Sequence, residues 1–175
     1  MKQKKGLVYL WTGQGAGKTT SALGIALRAV GHGKKVVIIQ FLKWWKKTGE
    51  YKIKKRLGPE YEIYQFGRKG WHGFKNLTEE DKELAIKGLK FAKKKLEEKP
   101  FLIILDEINL AVAKKLITEK QLIDFLDSVP PETTVYLTGR YAPKSIVNRA
   151  DFATEIKEIK HPTGNGVPAR KGIEY

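Results

Sequence analysis

Residues 7–20 read LVYLWTGQGAGKTT, and no other stretch narrows the possible folds so far. An apolar run of strand length meets three glycines in five positions, and Lys18, Thr19 and Thr20 then open a helical pattern. That order makes a cradle for phosphate. Glycines let successive backbone N–H groups converge on anionic oxygens, and the helix N-terminus adds partial positive charge. In this reading Gly13, Gln14, Gly15, Ala16 and Gly17 form the cradle and Thr20 sits in the first helical turn. Lys18 carries charge to the terminal phosphates, and the Thr19 hydroxyl is placed to ligate Mg²⁺.

The usual phosphate loop has four residues between its first glycine and its Gly-Lys pair. Counted back from Gly17, that glycine would fall at Thr12, so with Gly13 the loop is one residue short. The plain alternative is a glycine turn that binds nothing, and the rest of the chain weighs against it. Residues 101–107 form an apolar strand ending in Asp106-Glu107, the second half of a phosphate-loop site, with carboxylates delivered to the sheet edge beside the loop. Residues 133–137 form another buried strand, followed by Thr138-Gly139-Arg140, which places Arg140 to reach a phosphate or carboxylate in the same crevice.

Between these landmarks strands and helices alternate. Helical spacing covers residues 21–30, and residues 35–41 are a near-continuous apolar run, as a parallel strand buried on both faces requires. Residues 51–57 read as a short helix and residues 61–66 as a strand. Thr78 caps a helix that runs to about residue 98, and Thr118 caps another over residues 119–126. A helix is expected at residues 111–116, a shorter one at 143–149, a strand at 152–156 and a short terminal strand in the tail. The pattern predicts an α/β fold, a doubly wound and mostly parallel sheet, with residues 1–175 as one nucleotide-binding domain.

Composition bounds the function. No apolar run approaches the roughly 18 residues that span a membrane, and the basic N-terminus has no signal-peptide core, so a cytoplasmic protein is expected. The absence of cysteine excludes disulfides, thiolate zinc sites and cysteine nucleophiles. The formal charge of +15 collects in two lysine runs. The run over residues 87–99 is interleaved with glutamates and reads as a solvated helix face. The run over residues 43–55 follows a strand and includes Trp44 and Trp45.

From these residues the chain is identified as resembling the ATP:corrinoid adenosyltransferases of the cob(I)yrinic acid a,c-diamide type. The likeness is carried by residues 13–20, 28–33 and 37–43, and continues through 104–107, 138–140, 150–151, 160–161 and 172–175. The shortened loop is itself a feature of that family. The resemblance implies a RecA-like phosphate-loop fold, with ATP bound in reversed orientation. It also implies transfer of the 5′-deoxyadenosyl group to cobalt(I) of a reduced corrinoid, with triphosphate leaving. Mg²⁺, held by Thr19, Asp106 and Glu107, a corrinoid-reducing flavoprotein or equivalent reductant, and a homodimer are implied as well. Lys18 and Arg140 are the residues expected to stabilise the leaving group. Cobalt(I) is itself a strong nucleophile, so no side chain need be activated for attack, and His32, His72 and His161 can be structural.

Three departures from the family pattern bear on detail. Bacterial members carry Asn and Lys where this chain has Gln14 and Ala16, and they carry an N-terminal segment that covers the site. The family's corrinoid loop has a Phe-x-Trp pair. Trp71 matches the Trp, but Lys69 stands at the Phe position, leaving Phe66 or Phe74 to complete the apolar wall unless these aromatics belong to the core. A nucleic-acid-dependent NTPase is the alternative reading, motivated by the charge and by Trp44, Trp45 and Trp71 among lysines.

Overall fold

Apolar side chains on both faces of most strands force a sheet with cover on each side. In the computed structural model, which describes residues 5–70, 73–74, 76–161 and 166–175, that sheet has six strands. They are β1 (Val8–Thr12), β2 (Val36–Phe41), β3 (Tyr61–Phe66), β4 (Leu102–Asp106), β5 (Thr134–Thr138) and β6 (Phe152–Glu155). Their order is β3-β2-β4-β5-β1-β6, and every pair is parallel.

Side-chain alternation sorts each strand between two cores. Val8, Leu10, Val37, Ile39, Ile103, Leu105, Val135 and Leu137 face one side. There they meet α4 (Glu79–Leu96), α5 (Ile108–Ala113), α6 (Glu119–Asp127) and α7 (Lys144–Arg149). Val36, Ile38, Ile104 and Tyr136 face the other side and meet α1 (Lys18–Gly31) through Ala22, Ala26 and Ala29, whose small side chains let helix and sheet approach closely. Full burial of a residue such as Leu10 or Ile103 contributes about 2 kcal/mol. On the α1 side the rings of Tyr9, Trp11, Tyr136 and Phe152 form a row across β5, β1 and β6. The row borders an open groove of about 810 Å³, and Phe152 is 48% exposed.

Several expectations shift in detail. The helix expected at 111–116 forms at Ile108–Ala113, because Glu107 in the left-handed region starts it and Lys115 at φ 59° ends it. Residues 51–57 make two single turns, α2 (Gly49–Lys52) and α3 (Lys54–Leu57). The terminal strand does not form. Residues 171–174 turn instead, with Gly172 at φ 87° and the Arg170 backbone N–H donating to Glu174 at 2.7 Å. Thr78 and Thr118 cap their helices as read, each in a reciprocal box, with Asp81 and Gln121 respectively. No described helix is long and apolar enough to cross a membrane.

A charged cluster ties β3 to α4 and to the turn before β2. Glu62 accepts from Lys95 at 2.6 Å, Lys35 at 3.1 Å and the Tyr64 hydroxyl at 2.6 Å. Burial works against its charge, but these donors outweigh it and push the carboxyl down to about 2 from an ordinary 4.5. A carboxylate with a lowered folded-state pKa stabilises fully above its unfolded value and loses that contribution as pH falls through the folded one. Wild type should therefore exceed Glu62→Gln in stability by about 1–2 kcal/mol at pH 7. Urea melts should show the gap closing between pH 4.5 and 2; a gap that is constant with pH would refute the ionic origin.

Candidate functional site

Parallel strands bring all their C-terminal ends to one edge, and the loops leaving β1, β2, β4 and β5 meet there. Alternation carries Gln40, Asp106 and Thr138 onto the α1 face at three adjacent strand ends. Gln40 pairs with Asp106 across β2 and β4, and Thr138 follows the Leu105–Leu137 pair of β4 and β5. All three are essentially inaccessible.

Asp106 is the hub. Its Oδ1 accepts from Thr138 Oγ1 at 2.6 Å and from Thr19 Oγ1 at 2.8 Å. Its Oδ2 accepts from Lys43 Nζ at 2.7 Å and from Gln40 Nε2 at 3.0 Å. Gln40 Oε1 in turn accepts from Gln65 at 2.8 Å, and Gln65 Oε1 accepts the Trp45 N–H at 2.8 Å. Burial alone would raise the Asp106 carboxyl; the Lys43 charge and the bonds from Lys43, Thr138 and Thr19 hold it below the usual aspartate range. The Lys43 ammonium is conversely raised, since Asp106 and Glu107 overcome the effect of its burial.

Lys43 reaches this position because the chain turns sharply after β2. Leu42 adopts φ 58°, and its N–H donates to Phe66 O at 2.9 Å. The turn lies against Gly67, where a Cβ would stand 2.5 Å from the Lys43 nitrogen, so a side chain at position 67 would displace it.

Glu107 differs from its neighbour. Its backbone is left-handed, with φ 63° and ψ 17°, and its N–H donates to Thr138 Oγ1 at 3.1 Å. One carboxylate oxygen, Oε2, is buried without a hydrogen-bond partner. Burial lifts this carboxyl above the usual glutamate range; Lys43 opposes the lift and Asp106 adds to it. A buried orphan oxygen on the residue that follows Asp106, near enough to Lys43, Lys18 and Arg140 to feel their charges, fits a divalent cation. Among the described residues no three His, Cys, Asp or Glu side chains converge as a cage, so such an ion would take its other oxygens from phosphate and water, as Mg²⁺ commonly does.

The glycine loop closes the site on the β1 side. Gly13 adopts φ 101°, and a Cβ there would lie 2.3 Å from Ile156 O. Below it, Ile156 accepts the Gly15 N–H at 2.9 Å and donates to Thr12 O at 2.8 Å. Gln14, Ala16, Gly17 and Thr20 are exposed along the loop and first turn. Lys18 is only 6% exposed and donates to Gly15 O at 2.5 Å. Burial lowers its ammonium, with Glu107 and Asp106 opposing and Arg140 reinforcing that effect. The N-terminus of α1 has neither a side-chain cap nor an acidic residue in its first turn, whereas α4 and α6 have both. Unpaired N–H groups and a positive dipole end are thus left facing the crevice.

The structure brings the expected residues of the loop together with Thr19, Asp106 and Glu107. Arg140 is exposed on the same rim. Trp71 and His72 lie outside the described residues. Phe66 is half-buried against the core, packed on Phe91 at 5.5 Å between ring centroids. Three members of the Asp106 network, Gln40, Lys43 and Thr138, were not read as site residues from sequence. The signal for Gln40 is a single amide in an otherwise apolar strand, VVIIQF. Trp45, one of the aromatics behind the nucleic-acid reading, stacks on Tyr175 at 5.0 Å.

Thr138→Val keeps shape but removes one donor to Asp106 and the acceptor for the Glu107 N–H. It should lower stability by about 1–3 kcal/mol, measured by denaturant unfolding. A change within a few tenths of a kcal/mol would show the network to be dispensable.

This fold and this rim define a class, the α/β proteins of the phosphate-loop NTPase type. Residues 4–175 match the ATP:corrinoid adenosyltransferase BtuR/CobO/CobP family, and the chain belongs to it. The corrinoid adenosyltransferase of Sinorhizobium sp is 35% identical over 178 residues, covering 98% of this chain and 81% of that protein. That of Escherichia coli strain K12 is 33% identical, covering 99% of this chain and 88% of its own. The corrinoid adenosyltransferase CobA of Salmonella typhimurium is 32% identical with the same coverage. None of these likenesses favours the nucleic-acid reading.

Proposed function

We propose that the protein transfers the 5′-deoxyadenosyl group of ATP to cobalt(I) of a reduced corrinoid, cobalamin or cob(I)yrinic acid a,c-diamide. The cobalt electron pair attacks C5′, the C5′–O bond breaks, and triphosphate departs with the bonding pair. The observation that carries this reading, in a chain of this family, is the acid-free N-terminus of α1 under a glycine loop, opposite Asp106 and Glu107. It is a site built to receive a polyanion, and the nucleophile comes with the substrate.

The protein's work is then positioning and charge stabilisation. The backbone N–H groups of the loop and first helical turn, apart from that of Gly15, which is committed to Ile156 O, and the Lys18 ammonium take up charge on the leaving triphosphate, and Arg140 reaches it from the β5 rim. For the phosphates to be bound, Lys18 must exchange Gly15 O for a phosphate oxygen. Mg²⁺, held by Thr19 and Glu107, with Asp106 behind Thr19, would neutralise phosphate charge. Gln14 offers an amide to the ribose, and Trp71 an apolar face to the corrin. Cobalt must arrive as cobalt(I), so a flavoprotein or equivalent reductant is a required partner. We place the enzyme in the cytoplasm as a homodimer, the assembly implied by family resemblance; the exposed Phe152 at the end of the aromatic row is consistent with self-association.

The test is an anaerobic mixture of the protein, Mg-ATP and chemically reduced cobalamin. A light-sensitive adenosylcobalamin spectrum and triphosphate should appear in equal amounts; phosphate release without a cobalt–carbon product would overturn the reading. Lys18→Ala should lower kcat/KM by about a hundredfold or more while melting normally, and near-normal turnover would remove its leaving-group role. Glu107→Gln should raise the Mg²⁺ concentration needed for half-maximal rate. An unchanged metal titration would count against that contact.

A further inference from the structure

An ionised carboxylate offers about four lone-pair positions, and on Asp106 all four are taken. Three donors are neutral, Thr19, Thr138 and Gln40. The fourth is the Lys43 ammonium, 2.7 Å from Oδ2 and also 3.2 Å from Thr19 Oγ1. Lys43 is far more accessible than the carboxylate it holds: its side chain is 24% exposed and that of Asp106 only 1%. Neither Asp106 oxygen is therefore free for direct coordination, and the cation that covers Oδ2 also touches the hydroxyl assigned to the metal.

We infer that Lys43 is a resident cation of the metal site, a positioning residue that makes metal binding depend on nucleotide. The inference rests on the proposed Thr19 and Glu107 contacts. Lys43 keeps Asp106 as an outer anchor for Thr19 and out of direct coordination, so the protein offers the ion one hydroxyl and one carboxylate. A divalent ion on Thr19 Oγ1 is also repelled by an ammonium within hydrogen-bond distance of that atom. Bound alone, the ion is too poorly coordinated to stay. With ATP, phosphate oxygens complete its shell, and their negative charge offsets the repulsion. The site thereby selects the metal–nucleotide complex over the free metal. The turn at Leu42 and the close approach at Gly67 fix the lysine where it does this.

Mn²⁺ is a suitable probe, since electron paramagnetic resonance counts the free ion and water-proton relaxation distinguishes a protein-bound Mn-ATP complex from Mn-ATP in solution. Wild type should bind Mn²⁺ weakly alone and tightly with ATP. Lys43→Met should bind Mn²⁺ alone at least tenfold more tightly, with the enhancement by ATP correspondingly reduced, and Lys43→Arg should restore wild-type behaviour. A lysine that merely supported the fold would lower stability without tightening nucleotide-free metal binding. If Lys43→Met fails to melt cooperatively, Lys43→Gln, which keeps a donor for Oδ2 and drops the charge, should still tighten Mn²⁺ binding severalfold. Unchanged or weaker nucleotide-free affinity in these variants, with a normal wild-type Mn-ATP complex, overturns the role of Lys43 alone. No protein-bound Mn-ATP complex in wild type overturns the metal site and this inference with it.

Discussion

The structure depends above all on keeping one buried carboxylate charged at the junction of three strands and a helix. Asp106 is 1% exposed, and an unpaired charge at that depth would neutralise or unfold its surroundings. Its donors come from β4's two neighbours, from the first turn of α1 and from the turn after β2. Satisfying the carboxylate therefore fixes the helix against the sheet and the lysine against the helix in one step. A pair this buried is weak evidence for net stability; what the four bonds do is join β2, β4, β5 and α1 through one side chain.

The contrast among the helix starts is a matter of electrostatics. α4 and α6 begin with a threonine cap and an acid, which quench the dipole locally. α1 begins after a glycine at φ 102° with no such group, so its positive end is directed at whatever occupies the loop. Asp106 and Glu107 lie opposite, and Lys18, Lys43 and Arg140 balance them, so the rim has slight positive excess before any ligand binds. A polyanion carrying a divalent ion matches that balance better than either component alone.

Much of the fold could be read from sequence because buried parallel strands leave uninterrupted apolar runs, as at residues 36–39 and 102–105, and because Thr78 and Thr118 are followed by partners three residues on. The loop, Lys18, Thr19 and the Asp106-Glu107 pair were legible by spacing. The Asp106 network was not. Which strands become neighbours is decided by packing across the whole sheet, so nothing in the linear order said that Gln40, Asp106 and Thr138 would stand side by side. Lys43 was hidden differently: it heads a run of lysines, and only the positive φ at Leu42 separates it from the solvated ones after it. The tail misled because Gly172 favours a turn over the extended backbone suggested by its last residues.

The glycine loop lies near the start of the chain, yet its floor is Ile156, near the end. Gly13 has room only for hydrogen there, and Gly15 takes its backbone partner there. On a ribosome, the first residues of the loop would wait for β6 and Ile156 to emerge before their conformation was fixed. A prematurely terminated product could still form much of the β2-β3-β4 half of the sheet, but would lack the surface that shapes the loop. The shape of the loop is thus reserved for chains that have been translated past β6, however much of the sheet forms earlier.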